Sequence, residues 1–533
     1  MKLSNSNLAH LPETVATPSY DRSAVTAGII HFGVGGFHRA HQAMYLDRLM
    51  NQGKALDWGI CGMGVMPSDT RMRDALTSSD GLYTLVVKDP DGSRDVRVIG
   101  SIVDYIFAPD DPQAAVERLA DPAIRIVSLT VTEGGYNLHP VTGEFDLGNP
   151  QVQADLVTPG QPHTTFGLVC AGLKLRRERG IAPFTVMSCD NIQGNGEVAQ
   201  RMFTAFAAAL DPGFGAWLEA EVPFPNSMVD RITPVTTDAD RIDVAARYGI
   251  EDAWPVVCED FTQWVLEDKF AAGRPAFEDA GVQLVEDVVP YELMKLRLLN
   301  ASHQGLCYFG HLAGYRAVHD VVRNPLFSEF LLRFMDEEAT PTLSPLPGVD
   351  LTAYKHKLIE RFSNEYVADT VARLCAESSD RIPKWLMPVV RENLAADRPV
   401  KLSAAIVASW ARYAQGVDEG GEPIAVVDRL AEELTAVAQR NREDLDAFIA
   451  NRELFGDVLD DERFRSAYRD ALSSLHTKGA IATLETLVGA KARSHERPTS
   501  AHPPTIGVFV HLFRLPGHGS PDNWTKTREG GGT

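Results

Sequence analysis

The sequence predicts an α/β protein, with a mostly parallel sheet in its first half and a mostly α-helical second half. Short apolar runs alternate with helical patterns up to about residue 285, and such alternation is typical of a doubly wound sheet. From Pro290 to about Gly489 the pattern is helical almost throughout. We therefore expect an α/β domain over residues 1–285, a helical domain over 286–493 and a tail of uncertain order over 494–533.

Several apolar runs in the first half are predicted to be strands. Continuous apolar runs indicate strands that are buried on both faces of a sheet. The runs are GIIHF (28–32), WGICGMG (58–64), YTLVV (83–87), IRIVSLTV (124–131) and FTVMSC (184–189). The helical stretches AHQAMYLDRLM and LVCAGLKLRRERG lie between them.

The second half shows helical periodicity in long stretches. Examples are SEFLLRFMDEEATPTL, LSAAIVASWARYAQ and DRLAEELTAVAQRNREDLDAF. The tail is rich in Pro, Gly, Thr and His, and the short run IGVFVHLF (506–513) interrupts it.

Composition excludes several classes of protein. The chain has 533 residues, 44% of them hydrophobic, and a formal net charge of -21, which argues against binding to nucleic acid. No apolar run is long enough to span a bilayer, and the N-terminus lacks the apolar region of a signal peptide, so we expect a cytoplasmic protein without a membrane partner. The six cysteines form no C-x-x-C pair and do not lie at zinc-ligand spacing, so no metal site is predicted.

A glycine-rich stretch, HFGVGGFHRAH (31–41), follows the first predicted strand and opens a predicted helix. That context suits a dinucleotide-binding turn: the first glycine permits a tight turn, the second lets the backbone approach a pyrophosphate, and helix amides face the phosphates. The third glycine of G-x-G-x-x-G is replaced by His38, and the alternative is an ordinary strand–helix turn. The context favours a Rossmann-type domain that binds NAD, with cofactor-binding residues Gly33, Gly35, Gly36, Phe37, His38 and Arg39.

An acidic residue after the second strand would bind the adenosine ribose and favour NAD over NADP. Asp69 is the best candidate, although it lies further along the chain than the usual spacing. The alternative is a solvated loop carboxylate.

The stretch ELMKLRLLNASHQG (292–305) resembles a buried helix but contains an amine, an amide and an imidazole. On an α-helical wheel of about 100° per residue, Lys295, Asn300 and His303 lie on one arc and can converge on a cleft. Alcohol oxidation needs a base for the hydroxyl proton, and burial lowers the pKa of a lysine toward that role. Asn and His donors can stabilise the developing alkoxide. Taken singly, a helical lysine is more often solvated and a lone histidine more often structural, and only the three together make the catalytic interpretation comparable.

A competing motif overlaps this stretch. Tyr291-x-x-x-Lys295 matches the Y-x-x-x-K of short-chain dehydrogenases, but Glu278 stands where their serine would fall and the chain is about twice as long. Such a pattern also arises easily by chance.

Several further motifs carry a family resemblance over roughly residues 25 to 490. The chain resembles the polyol-specific long-chain dehydrogenase/reductase family, and K-x-x-x-x-N-x-x-H is the most specific element of the match. The other matching stretches are HFGVGGFHRAHQ, DGLYTL, TEGGY, SCDNIQGNG, PLFSEFLLRFMDEEATPTL and RFSNEYVADTVARLC.

The resemblance implies a zinc-independent enzyme that interconverts D-mannitol and D-fructose with NAD. It implies that Lys295 is the base, that Asn300 and His303 hold the reacting oxygen, and that Glu292 helps to carry the proton away. It places Asn191, Asp230, Arg373 and Arg381 in the substrate pocket.

Arg381 departs from the lysine that is more frequent in relatives, and an arginine favours carboxylates. Fructuronate reductase therefore stays open, as does a dehydrogenase of arabinitol or sorbitol. A non-catalytic NAD-binding sensor is the alternative from another class. Relatives with chains of this length are often monomers, and we expect a monomer here.

Overall fold

The computed structural model describes residues 1–139 and 142–489, and all strands within these ranges lie before residue 286. In chain order they are β1 (Ala27–Phe32), β2 (Gly59–Gly64), β3 (Tyr83–Lys88), β4 (Arg94–Ile99), β5 (Ile102–Phe107), β6 (Ile126–Leu129), β7 (Thr185–Ser188), β8 (Ser227–Asp230), β9 (Val256–Glu259), β10 (Gln263–Glu267) and β11 (Gln283–Val285).

The main sheet is parallel, with the strand order β5-β2-β1-β6-β7. The central strand β1 pairs with β2 on one side and with β6 on the other, where Ile29 faces Ile126. The chain winds outward from β1 in both directions, so the carboxyl ends of β1 and β6 form the crevice where ligands bind in such sheets.

Alternate residues of these strands enter two hydrophobic cores. On β1, Ile29 packs into the core on one face and Ile30 into the core on the other, and Ile126 and Val127 of β6 do the same. The prediction of a doubly wound sheet with strands buried on both faces is confirmed.

The remaining strands form two smaller sheets, which the sequence did not predict. YTLVV forms β3 as predicted, but β3 lies in a separate sheet, antiparallel to β4 and parallel to β9. Strand β4 has the sequence RDVRVI, in which polar and apolar residues alternate because one face is half exposed. A search for continuous apolar runs misses strands of this kind.

The helices before residue 286 cover both faces of the main sheet or lie beside it. They are α1 (Gly36–Ala40), α2 (Gln42–Asn51), α3 (Thr70–Ser78), α4 (Pro112–Ala120), α5 (Pro150–Val157), α6 (Thr165–Glu178), α7 (Asn195–Leu210), α8 (Pro212–Glu221) and α9 (Asp238–Tyr248).

The described chain after residue 286 is helical around its own large core, as predicted. Its helices are α10 (Val289–Met294), α11 (Ala301–Leu312), α12 (Val318–Arg323), α13 (Pro325–Phe334), α14 (Leu351–Phe362), α15 (Val371–Cys375), α16 (Ser378–Trp385), α17 (Met387–Ala395), α18 (Lys401–Tyr413), α19 (Ala431–Gln439), α20 (Arg452–Phe455) and α21 (Glu462–Val488).

Two predicted helices differ in detail. The stretch DRLAEELTAVAQRNREDLDAF is not one helix, because α19 ends at Gln439 and a short 3₁₀ turn, Arg440–Arg442, follows. The stretch ELMKLRLLNASHQG contains a π-helical segment, Lys295–Asn300, between α10 and α11. The run IGVFVHLF lies outside the described residues, and the division of the chain at residue 285 stays a prediction.

Candidate active site

A cleft of about 790 Å³ joins the glycine turn to the π-helical segment. It is lined by residues from the carboxyl ends of the strands and from the helical half of the chain. The predicted site residues that line it are Gly33, Gly35, Gly36, Phe37, His38, Asn191, Asp230, Lys295, Asn300, His303, Arg373 and Arg381.

The glycine turn leaves β1 at the crevice beside β6. Gly33 has a φ of +88°, and a Cβ there would lie 2.1 Å from the carbonyl oxygen of Thr130, so only glycine fits. A Cβ on Gly35 would meet only the oxygen of Gly33 at 3.7 Å, and the nearest atom to one on Gly36 is 3.5 Å away. The turn therefore offers bare backbone to the cleft, which is what close approach by a pyrophosphate requires.

Lys295 lies across the cleft from this turn and is 7% exposed. Its Nζ donates to Asn191 Oδ1 and to the carbonyl oxygen of Val229, both at 2.6 Å. Burial lowers the pKa of Lys295 below its ordinary value, and the charge of Asp230 opposes this shift. The structure thus holds the amine in a fixed place with a reduced proton affinity.

The π-helical segment changes the geometry that an α-helical wheel predicts. In an α-helix, Lys295 and Asn300 would be about 140° apart around the axis. Here the Ala301 N–H donates to the oxygen of Leu296, five residues back, so residues five apart lie on nearly the same side. The segment therefore brings Lys295 and Asn300 closer together around the axis than an α-helix would.

Asn300 and His303 are 4% and 8% exposed and line the same cleft. The ring of His303 packs at 4.6 Å from that of Phe362, and burial lowers its pKa to about 3. Among the described residues, the buried Nε2 of His303 has no hydrogen-bond partner. The imidazole is neutral at physiological pH and has one nitrogen left for a ligand.

Asp230 is held by a residue that sequence reasoning missed. Arg361 on α14 is 2% exposed and donates to Asp230 at 2.8 and 3.1 Å, and to Glu259 at 2.9 and 2.8 Å. Burial of Asp230 works against ionisation, but the guanidinium holds its pKa below the ordinary value. A sequence signal existed, since Arg361 follows Tyr354 by seven positions and Leu358 by three, on the buried face of an amphipathic helix.

Glu292 lies behind Lys295 rather than in the main cleft. Both residues, with Asn191, line a small adjoining cavity of about 20 Å³, which has room for about one water molecule. The Glu292 carboxylate accepts from the Gly194 N–H at 3.0 and 3.3 Å, and burial raises its pKa to about 7. The carboxyl group is therefore poised between its charged and neutral forms near neutral pH.

The two predicted substrate arginines are already engaged with the protein. Arg373 donates to both oxygens of Asp369 at 2.6 Å. Arg381 donates to the carbonyl oxygens of Arg373 and Leu374 at 3.2 and 3.0 Å, and its guanidinium lies 5.5 Å from the ring of Trp385.

Two predicted cofactor residues are not among those that line the cleft. Arg39 is 1% exposed and donates to the carbonyl oxygens of Trp254 and, at 3.3 Å, of Gly35, so it supports the glycine turn from within the protein. Asp69 lies five residues beyond β2, and its Oδ2 accepts from the N–H groups of Val65 and Met66 at 2.9 Å. It lies at the carboxyl edge of the sheet and holds the turn that follows β2, and its contact with the adenosine ribose stays a prediction.

The cleft contains further residues that sequence reasoning passed over. Asp190 accepts from the N–H of Thr132 at 2.8 Å and from Tyr136 at 2.7 Å. Thr132 has a φ of +64°, which is strained for a β-branched residue. Asp190 thus fixes the backbone beside β6, and the TEGGY motif was the available signal.

Neither a metal centre nor a membrane span is found in the described ranges. No group of three or more His, Cys, Asp or Glu side chains is placed to hold an ion there. No helix in the same residues combines the length and apolar character that crossing a bilayer requires.

A bare glycine turn at the switch point of a parallel sheet, facing a buried lysine, defines a dinucleotide-dependent oxidoreductase by class. Residues 27–279 match the mannitol dehydrogenase Rossmann domain, and residues 287–476 match the mannitol dehydrogenase C-terminal domain. The chain therefore belongs to the mannitol dehydrogenase family.

The similarity to individual relatives extends over nearly the whole chain. A mannitol 2-dehydrogenase from Aspergillus fumigatus is 45% identical over 495 residues, which cover 91% of this chain and 98% of the relative. The structure of Pseudomonas fluorescens mannitol 2-dehydrogenase in a ternary complex with NAD and D-mannitol is similar at a TM-score of 0.82, with 46% identity over 92% of this chain and 100% of the other. A substrate-free D-sorbitol dehydrogenase is similar at a TM-score of 0.86, with 38% identity over 91% of this chain and 100% of the other.

Proposed function

We propose that this protein is an NAD-dependent dehydrogenase that interconverts D-mannitol and D-fructose, with oxidation at C2 of the polyol. The observation that carries the proposal is the buried amine of Lys295, fixed in the same cleft as the bare glycine turn. The relatives named for mannitol 2-dehydrogenase activity support it.

Lys295 acts as the general base in this proposal. A neutral amine has two N–H groups, and the oxygens of Asn191 and Val229 can accept both of them. The lone pair is then free to take the hydroxyl proton, and the lowered pKa keeps the amine neutral over a wider range of pH. In the reverse direction the ammonium group gives the proton back to the ketose oxygen.

Asn300 and His303 stabilise the oxygen as charge develops on it. Both are nearly buried beside Lys295, and His303 is neutral, so each offers a hydrogen bond without adding charge. Fixed donors in a site that excludes water stabilise an alkoxide more than mobile water does.

Glu292 receives the proton from Lys295 and passes it outward. The shared small cavity provides space for about one bridging water, and a carboxyl group with a pKa of about 7 can both accept and release a proton near neutrality.

The residues of the glycine turn fit NAD, since Gly35 and Gly36 present backbone without side chains to the cleft. Bound there, the nicotinamide would take up the hydride. Asp69 at the carboxyl edge of the sheet supports a preference for NAD, because a carboxylate near the adenosine ribose disfavours the phosphate of NADP.

Oxidation of D-sorbitol is the second candidate, favoured by the likeness to a D-sorbitol dehydrogenase. A panel of mannitol, sorbitol and arabinitol in oxidation, and of fructose and fructuronate in reduction, with NADH followed by absorbance, ranks the substrates. We expect mannitol and fructose to give the highest kcat/KM. The cytoplasmic location and the monomeric state stay predictions.

The test of the proposed base is the exchange Lys295→Ala. We expect mannitol oxidation to fall by roughly 10²–10⁴-fold, the usual contribution of a general base, while NAD binding is retained in a fluorescence titration. Lys54→Ala is the matched control, since that exposed lysine pairs with Asp279 outside the cleft. Near-normal turnover in Lys295→Ala, with the control intact, would refute the proposal.

A further inference from the structure

Arg373 has one edge of its guanidinium occupied by its own chain. Its Nε and Nη2 donate to Oδ1 and Oδ2 of Asp369, both at 2.6 Å, in a fork-to-fork pair. The Asp369 carboxylate is fixed further by the Thr370 N–H, which donates to Oδ1 at 2.8 Å. The side chain of Asp369 is 11% exposed, so the pair is anchored on its acidic side.

This pair lies beside the reacting groups. Asp369 and Arg373 line the same cleft as Lys295 and His303. After burial, the charges of Arg373 and Asp369 are the next largest influences on the pKa of His303, and they act in opposite directions. Arg373 and Asp369 therefore bring charges of opposite sign to the same part of the cleft.

The second arginine of the cleft is also partly committed. Arg381 donates through Nη1 to two backbone carbonyls, and its guanidinium lies near the ring of Trp385. Arg373 keeps its Nη1–Nη2 edge for a ligand, but that edge belongs to a guanidinium already paired with a carboxylate.

We infer that Asp369 is a specificity-determining residue, which makes the cleft select a neutral polyol or ketose over a sugar acid. The free edge of Arg373 still presents N–H groups that suit a hydroxyl oxygen. A carboxylate on that edge would lie next to the Asp369 carboxylate and would be repelled by it. The inference rests on the proposed function and names the substrate class of that site.

The exchange Asp369→Asn tests this directly, because the amide keeps the shape and turns an N–H₂ group toward Arg373. We expect the ratio of kcat/KM for D-fructuronate to that for D-fructose, measured with NADH, to rise by about tenfold or more. The matched control is Asp268→Asn, since Asp268 forms a similar two-oxygen pair with Arg274 at 2.7 and 2.9 Å and does not line the cleft. We expect the control to leave the ratio unchanged.

A binding measurement separates this inference from the proposed function. Calorimetric titration with D-mannonate and D-mannitol needs no turnover, and Asp369→Asn should shift the ratio of affinities toward the acid in the same way. An unchanged ratio of affinities in a folded Asp369→Asn protein overturns the inference. Failure of the wild type to reduce fructose, with the shift in affinity present, refutes the proposed function alone.

The double exchange Arg373→Ala/Asp369→Ala provides the test if Asp369→Asn does not fold, because it removes the pair without leaving an unpaired carboxylate in the cleft. If the two charges offset each other, loss of the pair should lower binding of D-mannonate and D-mannitol by the same factor. A much larger loss for the acid would show that Arg373 binds a carboxylate despite Asp369 and would overturn the inference.

Discussion

At the scale of single residues, the chemistry of this site depends on where protons are held. Burial lowers the pKa of Lys295 and raises that of Glu292 to about 7, so the proton affinities of amine and carboxyl group approach each other. A smaller difference in proton affinity makes transfer between the two groups easier, which suits a relay from substrate to solvent.

The lowered pKa of Lys295 predicts opposite pH dependences for the two directions of the reaction. Oxidation needs the neutral amine, so kcat/KM for mannitol should rise with pH to a plateau, with an apparent pKa below the ordinary 10.5. Reduction needs the ammonium form, so kcat/KM for fructose should fall as the pH rises through the same value. Profiles of initial rate from pH 5 to 11 measure both.

The exchange Glu292→Gln shows whether Lys295 or Glu292 causes the rise of kcat/KM for mannitol with pH, here called the alkaline limb. If Lys295 causes this limb, it remains in Glu292→Gln and moves to lower pH, since the charge of Glu292 raises the pKa of Lys295. Disappearance of the limb in Glu292→Gln would assign it to the glutamate instead.

Sequence reasoning found the residues of this site that one local pattern brings together. Lys295, Asn300 and His303 lie within nine positions of one helical stretch, so their convergence is visible in the sequence. Arg361 escaped because its role depends on partners that the fold supplies, which lie on β8 and β9. A charge that is neutralised by a distant carboxylate has no local signature.

At the scale of elements, Arg361 joins α14 to the ends of two strands. The strands β8 and β9 belong to different sheets, and they end at Asp230 and Glu259, whose carboxylates both receive this one guanidinium. The side chain of Arg361 is fully buried, and those of Asp230 and Glu259 are 6% and 1% exposed. The helical half is thereby fixed to the strands that carry the site.

Removal of this guanidinium should be costly. Arg361→Met leaves two buried carboxylates without a partner, and we expect the free energy of unfolding to fall by about 3–5 kcal/mol. Arg452→Met, which breaks an exposed pair with Asp460, should cost far less. Urea unfolding followed by circular dichroism compares the two, and equal losses would contradict a structural role for the buried triad.

The elements that sequence reasoning predicted well are those with a strong period. Strands β1, β2, β6 and β7 were found because both faces are buried, which leaves continuous apolar runs. The π-helical segment was not predicted, because packing imposes the change from i→i+4 to i→i+5 hydrogen bonds. No particular residue type marks such a change in the sequence. The sequence therefore predicted a helix that carries Lys295, Asn300 and His303, but not the π-helical segment that sets their relative positions.

At the scale of the whole molecule, buried ionisable groups make stability depend on pH in opposing ways. Burial lowers the pKa of His31, His41 and His303 to about 3, and it raises that of Glu292 and Glu338 to about 7. The histidines contribute stability that is present above pH 6.5 and is lost as the pH falls, since only the unfolded chain then takes up their protons. The glutamates act in the opposite sense between about pH 4.5 and 7, because only the folded chain then holds their protons.

A difference between variants isolates the histidine contribution from this balance. His31 lies at the end of β1 with its ring nitrogens on Ser128 and Thr130 at 2.8 and 2.9 Å, and His31→Asn removes its titration. As the pH falls from 6.5 toward 3, the free energy of unfolding of the wild type should drop relative to that of His31→Asn by about 1.4 kcal/mol per pH unit.

The measurement uses the slope of this difference against pH, because the part of the stability change that does not depend on pH cancels in the slope. Urea titrations at a series of pH values between 7.5 and 5 measure that slope. Parallel curves for wild type and His31→Asn would show that His31 takes up its proton in the folded protein, contrary to its burial.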